Sequence, residues 1–123
     1  MSDSRAHLLV IEDHRPNALL VCDLLRYHGF RVSWAEDGLV GLEMLKQERP
    51  DLILLDMQLP KLDGYTLAGL IKSNRQTSSI PIIALTARAT LGEAERAQKA
   101  GCDAYLKKPI DTRQLPQIIR QFL

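Results

Sequence analysis

The chain has 123 residues, of which 46% are hydrophobic and 25% charged, a composition typical of globular domains. That length accommodates one compact domain, residues 1–123, and leaves no room for a second. A formal net charge of +1 excludes a broad field that attracts nucleic acid or an anionic membrane, and no apolar run suffices for a bilayer span or signal peptide. We therefore expect a cytoplasmic domain with neither nucleic acid nor membrane as partner.

Short apolar segments alternate with amphipathic segments along the whole chain, which predicts βαβ units around a parallel sheet. The predicted strands are 8–11, 31–34, 51–55, 80–85 and 104–106. The first, third and fourth are continuously apolar, as in strands that helices cover on both faces, and the second is predicted at an edge. The predicted fold class is α/β, a doubly wound, five-stranded parallel sheet with helices on both faces.

Helical spacing of apolar residues predicts a helix after each strand. The residues expected on their apolar faces are Leu20, Val21, Leu24 and Leu25, then Leu39, Leu42 and Leu45, then Leu67, Leu70 and Ile71. Asp37 is a predicted cap of the second helix, and the third begins near Asp63. The fourth, about 90–99, is expected to be weakly packed. Pro116 predicts that the last helix starts late or is kinked.

Charged and hydroxyl side chains follow four of the five predicted strands. Glu12 and Asp13 follow the first, Asp56 the third, Thr86 the fourth and Lys108 the fifth, whereas the second contributes nothing comparable. Since ligand sites of such sheets form at the carboxyl ends of the strands, these side chains should converge. Carboxylates at one edge repel one another unless a cation lies among them. Their oxygen atoms, without Cys or His, predict a hard divalent ion, Mg²⁺ or Mn²⁺.

Magnesium commonly shares its coordination with phosphate, so this edge predicts phosphoryl chemistry. Asp56 would be the nucleophile, with the Lys108 ammonium and the Thr86 hydroxyl contacting phosphoryl oxygens. Singly, each residue has an ordinary explanation, because carboxylates after strands often cap helices and Lys-Pro often forms a turn. Their joint placement at the strand ends favours the functional interpretation.

Four ordered blocks resemble the receiver domain of bacterial response regulators, the family of the chemotaxis regulator. They are residues 9–13, residues 50–60 with 63–64, residues 82–87 and residues 101–109. The resemblance spans essentially the whole chain and implies one receiver domain, 1–123, with the flavodoxin-like strand order 2-1-3-4-5. It also implies that Asp56 is the phosphoacceptor and that Lys108, directly before Pro109, contacts the phosphoryl group.

The metal ligands implied by the resemblance are Asp13 and Asp56 directly, Glu12 mainly through water, and the backbone carbonyl of Gln58. Thr86 and Tyr105 would form a switch, in which phosphorylation draws the hydroxyl toward the phosphoryl group and the ring turns inward. Lys108 rather than Lys107 is the implied phosphate partner, with a cis bond to Pro109. Gln58 and Arg88 occupy positions that tune phosphoryl lifetime in this family.

The expected function is a phosphoacceptor switch of a two-component phosphorelay. A sensor histidine kinase or histidine phosphotransfer protein would phosphorylate Asp56, and a downstream protein would receive the signal. The chain would not be an enzyme beyond its own metal-assisted phosphorylation and dephosphorylation. No effector follows Leu123, so a stand-alone receiver is expected, although a receiver excised from a hybrid kinase or longer regulator has the same residues.

Three rival functions remain open. An aspartyl-phosphate-type phosphatase shares a nucleophilic Asp after a strand, but it needs a second acidic residue at the position that Gln58 occupies. A constitutive adaptor that has given up phosphorylation is disfavoured by the intact acidic pair, Asp56 and Lys108. A flavin-binding protein of related fold is conceivable, although the acidic loop 12–16 lacks the hydroxyl-rich residues expected to hold a flavin phosphate.

Overall fold

The computed structural model describes residues 5–88 and 90–123. The strands are β1 (His7–Ile11), β2 (Arg31–Ala35), β3 (Leu52–Asp56), β4 (Ile82–Thr86) and β5 (Ala104–Lys107). The helices are α1 (Arg15–Tyr27), α2 (Gly38–Leu45), α3 (Gly64–Ser73), α4 (Leu91–Ala100) and α5 (Leu115–Gln121). All strand pairs are parallel, in the order β2-β1-β3-β4-β5, so the predicted fold class and strand order are confirmed.

Alternating side chains of the sheet divide the core into two layers. Leu9 and Ile53 pack on one face, against α2, α3 and α4. Leu8 and Leu52 pack on the other, against α1 and α5. Every residue of β3 and β4 is buried, as the continuous apolar runs predicted. The carboxyl ends of β1, β3 and β4 are therefore held by core packing on both sides.

The predicted helix boundaries are largely confirmed. The Asp37, Asp63 and Thr90 side chains accept N–H groups at the starts of α2, α3 and α4. Gly101 ends α4 in the left-handed region, with φ 104°. The last helix starts late, at Leu115, which places Pro116 in its first turn, where a missing N–H costs little.

Three leucines predicted on buried helix faces lie at the surface instead. Leu20 is 61% exposed, Leu39 54% and Leu70 47%. In α1 the buried residues are Ala18, Cys22 and Leu25. The predicted burial of Leu25 is therefore confirmed, whereas smaller side chains at positions 18 and 22 face the sheet in place of Leu20. Among the described residues, no helix combines the length and apolar character needed to cross a membrane.

Candidate functional site

Asp56 ends β3, the central strand, and its side chain is 4% exposed. Its Oδ1 accepts the backbone N–H of Gln58 at 3.0 Å, which orients the carboxylate toward the loop. Gly64, at the start of α3, packs directly on this turn. A Cβ at Gly64 would lie 2.5 Å from the Met57 Cα and 2.8 Å from the Asp56 carbonyl oxygen. The absence of a side chain there allows α3 to begin against the backbone of Asp56.

Glu12 and Asp13 follow β1, the neighbouring strand. The Glu12 backbone N–H donates to the Ala35 carbonyl, and the Trp34 indole N–H donates to the Glu12 carbonyl at 2.8 Å. Glu12 is buried and Asp13 is exposed. One carboxylate oxygen from each of Glu12, Asp13 and Asp56 lies within 4.8 Å of the others. The predicted convergence of these three carboxylates is present.

Lys108 enters the same cluster from the end of β5. Its Nζ lies 3.0 Å from Glu12 Oε1 and 3.2 Å from Asp56 Oδ2. Its backbone N–H donates to the Thr86 carbonyl at 2.7 Å, and its bond to Pro109 is cis, as expected. Lys107 is exposed on the alternate side of the strand. The fold thus brings Lys108, and not Lys107, to the carboxylates.

The cluster retains negative charge after this pairing, since three carboxylates face one ammonium. Burial, together with the adjacent Asp56, raises the pKa of Glu12 to about 7, although Lys108 opposes the change. Burial alone would lower the pKa of Lys108, but the hydrogen bond to Glu12 and the charge of Asp56 outweigh it and raise that pKa. A divalent cation would relieve this repulsion.

The donor set fits a hard cation such as Mg²⁺. Glu12, Asp13 and Asp56 supply carboxylate oxygens only, and the described residues add no Cys or His to the group. The exposed Asp13 opens the cluster to solvent, which suits an ion that keeps several waters. The backbone N–H of Gln58 donates to Asp56 Oδ1. The use of the Gln58 carbonyl as a metal ligand stays a prediction.

The predicted switch residues, Thr86 and Tyr105, converge on Arg88. The Thr86 hydroxyl accepts the Arg88 N–H at 3.1 Å and lies 3.3 Å from the Arg88 carbonyl. The half-buried Tyr105 donates its hydroxyl to the same Arg88 carbonyl. Both hydroxyls are therefore engaged with the β4–α4 loop, and their role in switching stays a prediction.

Two contacts around the site were not predicted. The second strand does contribute, because Trp34 near the end of β2 holds the Glu12 carbonyl. The only available sequence signal was an aromatic N–H donor near a strand end. Tyr65, one residue into α3, donates its hydroxyl to Glu93 of α4, and its ring faces Arg96. No spacing in the sequence indicated that pairing.

Known proteins resemble this chain along nearly its whole length. The family model described as "Response regulator receiver domain" matches residues 8–120. The polar-differentiation response regulator DivK of Brucella anthropi is 35% identical over 116 residues, 94% of each chain.

Solved structures agree with that match. The receiver domain of the sensor histidine kinase PA1611 of Pseudomonas aeruginosa, with a magnesium ion coordinated in its active-site cleft, is 34% identical. It superposes with a TM-score of 0.89 over 97% of this chain and 98% of its own. Chemotaxis protein CheY4 of Vibrio cholerae, at 23% identity, supports the fold alone, with a TM-score of 0.93 over 98% of this chain and 100% of its own. The chain belongs to the response regulator receiver domain family of two-component signalling.

Proposed function

We propose that this receiver domain is a phosphorylation-operated switch whose acceptor is Asp56. The proposed donor is a phosphohistidine on a sensor histidine kinase or a histidine phosphotransfer protein. The signal would pass by contact with a downstream protein, in the cytoplasm, where the ATP that charges such kinases is found. The observation that supports this most is the cluster of Glu12, Asp13, Asp56 and Lys108 at the carboxyl edge of the sheet.

The group transfer uses the buried Asp56 carboxylate as nucleophile. A carboxylate oxygen bonds to phosphorus while the phosphorus–nitrogen bond to the donor histidine breaks, and the departing imidazole keeps the electron pair and takes up a proton. The proposed magnesium ion, held by Glu12, Asp13 and Asp56, would neutralise charge on the phosphoryl oxygens. Water later attacks the acyl phosphate, which returns the free carboxylate and inorganic phosphate.

Lys108 and Thr86 stabilise the new phosphoryl group, the first by ion pairing and the second by a hydrogen bond. Lys108 Nζ contacts Asp56 Oδ2 at 3.2 Å, so its ammonium is within reach of a phosphoryl oxygen on that carboxylate. Thr86, the last residue of the adjacent strand β4, would exchange its Arg88 contacts for a hydrogen bond to phosphate. That exchange would couple phosphorylation to the β4–α4 loop.

No observation favours catalysis on an external substrate. Gln58 occupies the position at which an aspartyl-phosphate-type phosphatase needs a second carboxylate. The proposed chemistry is therefore limited to the domain's own phosphorylation and the loss of that phosphoryl group. One solved relative is the receiver domain of a sensor histidine kinase, so a hybrid kinase stays an alternative parent for this chain.

The direct test is phosphorylation by acetyl phosphate with Mg²⁺, measured by intact mass and by the fluorescence of Trp34, the one tryptophan. The wild-type protein should gain a single phosphoryl group, and Asp56→Asn should gain none. Asp51→Asn is the matched control, since Asp51 is exposed before the same strand, and it should label normally. Equal labelling of Asp56→Asn and wild type would defeat the assignment. Failure of Mg²⁺ to change the fluorescence or the uptake would remove the metal from the proposal.

A further inference from the structure

Helix α4 is attached to the rest of the fold by little apolar surface. Ala97 is its one buried residue, and Leu91 at its start is 78% exposed. Gly92 has no atom within 4 Å of the position that a Cβ would occupy. Elements with so few buried apolar contacts open at low free-energy cost, so individual polar contacts decide where such a helix lies.

Tyr65 of α3 provides such contacts. Its hydroxyl donates to the Glu93 carboxylate, and the Arg96 guanidinium carbon lies 3.9 Å from its ring centroid. Glu93 and Arg96 are three residues apart, on one face of α4. Burial and the adjacent Glu93 raise the pKa of Tyr65 to about 12, so the phenol remains a hydrogen-bond donor. One aromatic side chain thus engages two side chains of the neighbouring helix.

The start of α3 is itself tied to the acceptor strand. The Gly64 N–H donates to the Met57 carbonyl at 3.3 Å, and Asp63 caps the helix by accepting the Thr66 N–H. Tyr65 therefore projects from a turn whose position follows that of Asp56. A displacement of α4 relative to this turn has to break the Tyr65 contacts.

A second polar anchor of α4 lies just before its first turn, at the Arg88 carbonyl. Thr86 and Tyr105 both contact that carbonyl. Under the proposed function, phosphorylation draws the Thr86 hydroxyl away, which weakens this anchor. The Tyr65 anchor contacts no phosphoryl ligand, so it opposes the movement of α4 independently.

We propose that Tyr65, Glu93 and Arg96 form a latch that holds α4 in the unphosphorylated position and thereby sets the free-energy cost of switching. This inference rests on the proposed function of Asp56. Tyr65 is a positioning residue, since it acts through α4 and touches no reacting group. A contact made in one state favours that state, so loss of the latch shifts the population toward the conformation in which Thr86 is free for phosphate.

Tyr65→Phe is the conservative test, because it removes the hydroxyl and keeps the ring under Arg96. Hydrogen exchange of the 91–100 amides in the unphosphorylated protein should be about tenfold faster than in wild type, as expected for losing a hydrogen bond to a charged group. Tyr27→Phe removes the same atom from a side chain that is 83% exposed on α1, and it should leave exchange unchanged. Equal exchange in Tyr65→Phe and wild type overturns the latch.

The rate of phosphoryl uptake tests whether Tyr65 influences switching or only stabilises the fold. With acetyl phosphate at saturating Mg²⁺, Tyr65→Phe should take up phosphate roughly threefold to tenfold faster than wild type, with unchanged Mg²⁺ affinity by Trp34 fluorescence. An uptake rate equal to or below that of wild type overturns the coupling. A wild-type protein that takes up no phosphate overturns the proposed function, whereas the exchange measurement tests the latch separately.

A double-mutant cycle assigns the effect to the contact itself. Glu93→Gln should accelerate exchange in α4, and adding Tyr65→Phe should produce little further change, because both variants remove one interaction. Glu95→Gln, an exposed site on the same helix, is the matched charge control and should behave as wild type. Multiplicative effects of Tyr65→Phe and Glu93→Gln would show independent roles and overturn the latch.

Discussion

Lys108 and Lys72 lie at opposite edges of the sheet, and the charges of their partners differ. The side chains of Lys108 and Lys72 are similarly exposed, at 22% and 20%. Lys72 Nζ donates to the Ser78 and Ile80 carbonyls and to Asp103, before β4 and β5. These three acceptors satisfy the three N–H donors of its ammonium group.

The Lys72 clasp, formed by Lys72, Asp103 and those two carbonyls, is balanced in charge. One ammonium meets one carboxylate, and Asp103 also accepts the Ile82 N–H at 2.8 Å. The Lys108 site is unbalanced, because Lys108 faces two buried carboxylates with Asp13 beside them. A balanced pair at one end holds the fold together. The excess of negative charge at the other end would be relieved by a further cation, so we expect that end to respond to ligands.

Lys108→Met should break the functional end. Without an ammonium to meet the developing phosphate charge, uptake of phosphate from acetyl phosphate should fall about a hundredfold. The two buried carboxylates also lose their partner, so stability should become strongly dependent on Mg²⁺. Rapid-mixing fluorescence and thermal unfolding with and without Mg²⁺ measure both effects. Lys107→Met is the control, because Lys107 is the exposed neighbour of Lys108 and its loss should change neither the uptake rate nor the stability. Uptake by Lys108→Met within twofold of wild type would contradict the proposed role of Lys108.

Lys72→Met should weaken the structural end by about 2 kcal/mol of unfolding free energy, because Asp103 and two carbonyls lose a donor in a partly exposed setting. Urea unfolding measures the loss, which Mg²⁺ should not restore, and the uptake rate should stay unchanged. Lys46→Met removes an exposed lysine 3.0 Å from Glu43 and should cost no more than about 0.5 kcal/mol. A Lys72→Met protein that Mg²⁺ restores would erase the distinction between the two ends.

The smallest expected effect is on the reactivity of the Cys102 thiol, which lies next to the Lys72 clasp. Burial, and then the Asp103 charge, raises its pKa from 9.0 to about 11, while Lys72 opposes the rise. Alkylation by iodoacetamide in a Cys22→Ala background should therefore increase up to about pH 11, and Lys72→Met should slow it a few-fold at pH 9. The folded thiol holds its proton after the unfolded one ionises, so stability should fall between pH 9 and 11. An alkylation midpoint near 9 would contradict this environment.

Sequence patterns predicted the features that depend on parallel strands. Continuous apolar runs identified β3 and β4, and parallel strand ends brought Glu12, Asp56 and Lys108 together because such ends share one edge. The buried faces of the helices were predicted less well. Leucine spacing in α1 correctly predicted Leu25 as a core residue but also favoured Leu20, where packing on the sheet uses the smaller Ala18 and Cys22 instead.

The supporting contacts escaped prediction for a different reason. Trp34 and Glu12 are 22 residues apart, and Tyr65 and Glu93 are 28 apart. Neither pair follows a strand or helix period, because each depends on how neighbouring elements are set against one another. The Arg88 carbonyl is a backbone group, so no residue type could have indicated that Thr86 and Tyr105 would share it.

The position of Asp56, the proposed nucleophile, depends on the lack of a side chain at Gly64. A methyl group at that position would overlap the Met57 Cα and the Asp56 carbonyl oxygen, both of which are main chain and cannot rotate away. Any side chain at residue 64 would therefore have to displace the backbone of Asp56 and Met57. The 3.2 Å spacing between the Asp56 carboxylate and the Lys108 ammonium thus depends on a residue that carries no charge. A substitution at Gly64 would change the geometry of the site while leaving each of its charged groups intact.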